Sequence, residues 1–116
     1  MQNLRILNLT NVFGTRILLK QDIDNLHFLN LTRNNLSDYD AKQIFEGKFK
    51  NIKELILAQN NISKVGFLDH MKLRLLDISR NPIEDFESLP SVKYLRCDFE
   101  AEGATKVEDS RKHSKF

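Results

Sequence analysis

The feature that most limits this chain is one recurring spacing of its apolar residues. LHFLNLTRNNL, from Leu26, places Leu at its first, fourth, sixth and eleventh positions and Asn at its ninth. IKELILAQNNI from Ile52 and LRLLDISRNPI from Leu73 repeat the pattern with Leu or Ile at every apolar place. LRILNLTNVFG from Leu4 and VKYLRCDFEAE from Val92 follow it in part, and the five starts are 22, 26, 21 and 19 residues apart. Such spacing fits neither the 3.6-residue period of a helix nor the alternation of a plain strand. Self-similarity at intervals of this length marks a solenoid, in which each turn buries its apolar face only by stacking on its neighbours.

Within a turn, the central Leu-x-Leu reads as a short strand whose two leucines point the same way, because side chains alternate along a strand. The first and eleventh positions fold back into the same interior. At about 1.5–3 kcal/mol per fully buried Leu or Ile, a column of such residues is a strong drive to stack. The asparagines serve a different need. Backbone groups turn inward as the chain leaves the strand, and the side-chain amides of Asn34, Asn60 and Asn81 are placed to satisfy them as a structural ladder. Losing one should cost about 1–3 kcal/mol. Val12 and Glu100 hold the equivalent places in the end turns, so the ladder is expected to stop there.

The pattern LxxLxLxxNxL resembles the leucine-rich repeat family over about residues 4–99. The resemblance implies an α/β solenoid: a right-handed arc with about five short parallel strands on its concave face, and short helices, 3₁₀ turns and loops on its convex face. Ser37 and the acidic residues after it predict a helix of about two turns that buries Ile44 and Phe45, with Phe49 buried nearby. The returns containing Gly66 and Pro90 suit tighter turns. The repeat lengths, with ISKVGFL and IEDFESL after the asparagines, resemble the short intracellular subclass that includes a regulator of protein phosphatase 1. Leu89, Pro90, Val92, Leu95, Val107, Glu108 and Arg111 resemble that subclass's terminal cap. The domain division is therefore a repeat domain at 1–99 and a polar tail, a possible cap, at 100–116.

If the fourth and sixth positions face inward, the third, fifth and seventh face outward on the concave sheet. The third-position row is Ile6, Phe28, Glu54, Leu75 and Tyr94, with Ile56 beside its acidic member. An exposed apolar row marks a contact surface, although strand propensity alone also favours such residues. Asn8, Asn30, Ile56, Asp77 and Arg96 form the fifth-position row; Thr10, Thr32, Ala58, Ser79 and Asp98 form the seventh. Arg33 and Arg80 add a basic border at the eighth position. The candidate partner-binding residues are thus Ile6, Phe28, Asn30, Arg33, Ile56, Leu75, Asp77, Arg80, Tyr94 and Arg96. A further row, Arg5, His27, Lys53, Arg74 and Lys93, is basic throughout and either keeps the strand ends solvated or tracks an anionic ligand.

Catalytic chemistry finds no foothold. Cys97 takes a core place in its strand, the three histidines fall in different kinds of segment, and neither a metal-ligand spacing nor a phosphate-binding glycine loop occurs. No catalytic residue, metal, cofactor or small-molecule substrate is expected. Asn-x-Ser/Thr triplets begin at Asn8, Asn30 and Asn61, but LNLT is a by-product of the repeat. A formal net charge of +2 names no partner, and no apolar run approaches the roughly 18 residues of a membrane span. The start MQNLRILNL lacks signal-peptide features, and a single cysteine suits a reducing compartment, which together give a cytoplasmic or nuclear expectation. The expected function is a non-catalytic adaptor that binds a protein partner on its concave sheet. RNA association, for which a spliceosomal leucine-rich repeat protein is the family precedent, and a structural role in a large assembly are the alternatives.

Overall fold

Five segments in which Leu is followed two places on by Leu, Ile or Cys give strands of three or four residues. The computed structural model describes residues 4–11, 25–85, 88–89, 92–97 and 107–109. In chain order these strands are β1 (Ile6–Asn8), β2 (Phe28–Asn30), β3 (Glu54–Ile56), β4 (Leu75–Asp77) and β5 (Tyr94–Cys97). Each pairs in parallel with the next, so the sheet follows the order of the sequence. A sixth strand, β6 (Val107–Asp109), lies within the stretch read as the tail and pairs in parallel with β5.

The register aligns equivalent positions without slippage: Leu7, Leu29, Leu55, Leu76 and Leu95 are partners along one line. Behind the sheet, Leu29, Leu31, Leu55, Leu57, Leu76 and Ile78 are fully buried and form one core with the first- and eleventh-position residues. Leu4, Leu7 and Leu9 of the first turn are only partly buried against that core. Cys97 fills the last inward place of β5 and is fully buried.

On the outer side the longest return carries α1 (Asp38–Phe45). Ser37 caps it: its hydroxyl accepts from the Asp40 amide at 3.2 Å, while Asp40 accepts from the Ser37 amide at 3.1 Å. Ala41, Ile44 and Phe45 bury the inner face, and the Phe45 ring lies edge-on to Phe49 and stacked on Phe67. The next return holds a 3₁₀ turn at Gly66–Leu68, and in the return after it Phe86, Glu87, Pro90 and Ser91 lie outside the described residues.

The turns out of β1, β2, β3 and β4 share a backbone device. The eighth positions Asn11, Arg33, Gln59 and Arg80 all adopt left-handed φ of 55–60°. This bends the chain inward while the eighth-position amide stays in the ladder: Asn11 donates to the Thr32 carbonyl at 2.7 Å, Arg33 to Ala58 at 3.1 Å and Gln59 to Ser79 at 2.9 Å.

Candidate functional site

The residues that build the sheet also fix what it displays. Ile6, Phe28, Glu54, Leu75 and Tyr94 are consecutive register partners, so the third-position row is one physical line across five strands. Ile6 is 66 % exposed and Tyr94 39 %, whereas Phe28, Glu54 and Leu75 are half-buried. Beside it run Asn8, Asn30, Ile56, Asp77 and Arg96, again in register; Asn8 is exposed and the other four are half-buried. Arg33 and Arg80 stand exposed where the chain turns inward. Arg5, His27, Lys53, Arg74 and Lys93 are all exposed at the opposite ends of the strands.

The seventh-position row differs from expectation. Thr10 is exposed and Thr32 half-buried, but Ala58 and Ser79 are buried. Asp98 lies outside the described residues. The fifth and seventh positions are also coupled, a relation the spacing alone did not announce. Thr10 donates its hydroxyl to Asn8 Oδ1 at 2.9 Å, Thr32 to Asn30 Oδ1 at 2.6 Å and Ser79 to Asp77 Oδ1 at 2.7 Å. The amides of Thr32 and Ser79 donate to the same oxygens at 3.0 Å. These bonds orient the polar row before anything binds, and Ile56–Ala58 is the apolar break in it.

Beneath this surface, Asn60 Oδ1 accepts from the amides of Asn34 and Leu36 at 3.0 and 2.9 Å, and its Nδ2 donates to the carbonyls of Leu31, Leu57 and Ala58. Asn81 accepts from the Ile62 amide and donates to the Leu57, Ile78 and Ser79 carbonyls. Asn34 donates to the carbonyls of Leu9 and Thr32. Its buried Oδ1 has no bond among the described residues; Val12 and Gly14, whose positions correspond to those of Asn34 and Leu36, lie outside them.

Charge on the sheet is partly engaged. Arg74 approaches Glu54 at 3.9 Å, Arg5 Nη1 lies 3.3 Å from His27 Nε2, and Lys93 Nζ sits 5.4 Å from the Tyr94 ring centroid. No group of three or more His, Cys, Asp or Glu placed to hold a metal occurs among the described residues. The described helices include none long and apolar enough to cross a membrane.

Two outer-side features escaped the sequence reading. Asp38 reaches 25 residues forward to accept from the Ser63 amide at 2.7 Å, its hydroxyl at 2.5 Å and the Lys64 amide at 2.9 Å. Burial opposes the charge of this carboxylate, but the Ser63 hydroxyl, the two amides and the Lys64 ammonium outweigh it and hold its pKa below the ordinary value. Asp85 reaches back from the other side to accept from the Val65 amide at 3.0 Å. Between α1 and the 3₁₀ turn lies a groove of about 600 Å³, lined by Tyr39, Lys42, Glu46, Gly66 and Phe67 among others.

A family model described as Leucine Rich repeats (2 copies) matches residues 50–91, the stretch that holds β3, the 3₁₀ turn and β4. These turns are leucine-rich repeats. The leucine-rich repeat geometry, with its inward leucines, buried asparagine and parallel strand, extends in the same register to the turn of β2, while β1 and β5 continue the parallel strand and its inward leucine at the two ends. No curated protein and no solved structure matches the chain.

Proposed function

We propose that the chain is a non-catalytic protein-interaction module that docks a partner protein on the concave sheet of its leucine-rich repeats. The observation that carries this reading is the single line of Ile6, Phe28, Leu75 and Tyr94 across the strands, broken only by Glu54 and supported laterally by Ile56. Four apolar side chains in one row on a water-facing sheet favour contact with another surface. Strand pairing, reinforced in the central turns by the asparagine ladder, holds these side chains in place, so docking orders little of the module. Asn30, Arg33, Asp77, Arg80 and Arg96 surround the row with polar and charged selectivity. The outer groove is a weaker candidate, because two of its carboxylates, Asp38 and Asp85, already serve loop amides.

Within this reading the module belongs to the short intracellular subclass, works in cytoplasm or nucleus, and uses the tail after residue 99 to cover the end of the core. The pairing of β6 with β5 supports that last part. Changing Phe28 and Tyr94 together to Ala should abolish capture of partner proteins from native extract while leaving the unfolding midpoint within a few degrees. Undiminished capture by a folded double variant would refute the concave-face reading. RNA association draws support from the exposed row Arg5, His27, Lys53, Arg74 and Lys93. It requires oligonucleotide binding that weakens steeply with salt.

A further inference from the structure

We propose that the occupant of the concave sheet is an acidic amphipathic helix of a partner protein. It crosses the strands with one apolar side chain per turn on the third-position row, and its carboxylates face the basic second-position row. This rests on the sheet being the docking face and specifies what docks there.

The spacing of the row selects a helix over an extended segment. Neighbouring strands lie about 4.8 Å apart, so four steps from Ile6 to Tyr94 run about 19 Å. Four turns of helix advance about 22 Å at about 5.4 Å per turn. An extended peptide places same-side residues about 6.7 Å apart, and four such steps run about 27 Å. A helix therefore stays within about 3 Å of register along the whole row, while an extended chain drifts by about 8 Å.

The charges select the sign. The whole chain carries only +2, yet Arg5, Lys53, Arg74 and Lys93 stand exposed in one row with His27. Arg33 and Arg80 are exposed at the other border, so an apolar strip is flanked by cations on both sides. A helix with an apolar face and acidic flanks matches this layout. Single-stranded RNA would meet the same cations but needs flat surfaces for its bases. Between Phe28 and Tyr94 the row offers Glu54 and Leu75, which do not stack bases, and Lys93 already lies against the Tyr94 ring.

Selection from two peptide libraries on the 116-residue chain tests the proposal. One library carries Leu or Phe at helical spacing and the other at alternate positions, with every remaining place randomised. The helical library should yield binders rich in Asp and Glu, weakened at least tenfold between 50 and 300 mM salt. They should weaken at least tenfold again on a folded Lys53→Glu/Arg74→Glu/Lys93→Glu variant. Binders with neutral or basic flanks, binders only from the alternating library, or no binders at all would overturn it. A mixed-sequence RNA 20-mer that binds while neither library does would replace it with the nucleic-acid reading. Neutral-flanked binders lost on the Phe28→Ala/Tyr94→Ala variant would remove only the acidic helix, whereas binders indifferent to that variant would remove the docking face itself.

Discussion

Truncating Asn60 to Ala removes five hydrogen bonds, but the groups left behind are not equally harmed. The Leu57 carbonyl keeps the Asn81 side chain at 2.8 Å, and the Ala58 carbonyl keeps the Arg33 amide at 3.1 Å. The amides of Asn34 and Leu36 and the carbonyl of Leu31 lose the only side-chain partner described for them. Taking about 1–2 kcal/mol for each of the three orphaned buried groups, the expected loss is about 3–6 kcal/mol, above the single-group figure expected from the spacing and a large part of the roughly 5–15 kcal/mol that holds a domain together. The same count for Asn81→Ala leaves the Ile62 amide and Ile78 carbonyl, an expected loss of about 2–4 kcal/mol. Asn61 is exposed and its side chain donates only to Asn35 Oδ1, so Asn61→Ala should cost under about 1 kcal/mol. Asn60→Asp keeps the acceptor but turns a carboxylate toward three carbonyls, and should be at least as damaging as Ala at neutral pH. Urea titration followed by circular dichroism reads these differences; at a slope of about 2 kcal/mol per molar, Asn60→Ala shifts the midpoint by about 2 M. A loss for Asn60→Ala no larger than that for Asn61→Ala would refute the ladder as the source of stability.

Asp38 offers a pH test. Its pKa in the folded chain is depressed, so the stability it adds is present above the unfolded carboxylate value of about 3.9 and is lost as pH falls through the lower folded value. Asp38→Asn should therefore be less stable at pH 7 and show a shallower acid limb below about pH 4 in thermal melts. An unchanged acid limb would show that the Ser63 and Lys64 bonds carry no weight. The left-handed eighth position offers another test: Gln59→Val should cost about 1–2 kcal/mol through backbone strain, while Gln59→Gly should change stability by less than about 1 kcal/mol. Equal effects in chemical denaturation would count against strain at that turn.

The strands and their register were legible because every inward place carries a Leu, Ile or Cys, and a one-residue slip would have exposed them all. The helix was legible from Ser37 and its acidic first turn, which are local signals. Several features escaped. The left-handed turns fall on Arg33, Gln59 and Arg80, residue types that do not announce such a conformation; only Asn11 does. The reach of Asp38 to Ser63 joins residues 25 apart through a contact that no apolar spacing encodes. For the sheet face, the order of outward residues followed from alternation, yet alternation did not give the burial of Ala58 and Ser79. The pairing of Asn30 with Thr32 was overlooked because the triplet reads as a by-product of the repeat. Sixth-strand pairing by Val107–Asp109 lies beyond the last copy of the pattern.

A stacked coil bends according to how far apart its turns stand on the inside and on the outside. The inner distance here is set by strand pairing and is the same at every step. The outer distance is set where Asp38 and Asp85 tie the 63–65 loop from both sides. Those two carboxylates act as tie-rods on the back of the stack, so the front, where docking is proposed, takes part of its shape from residues that lie away from it.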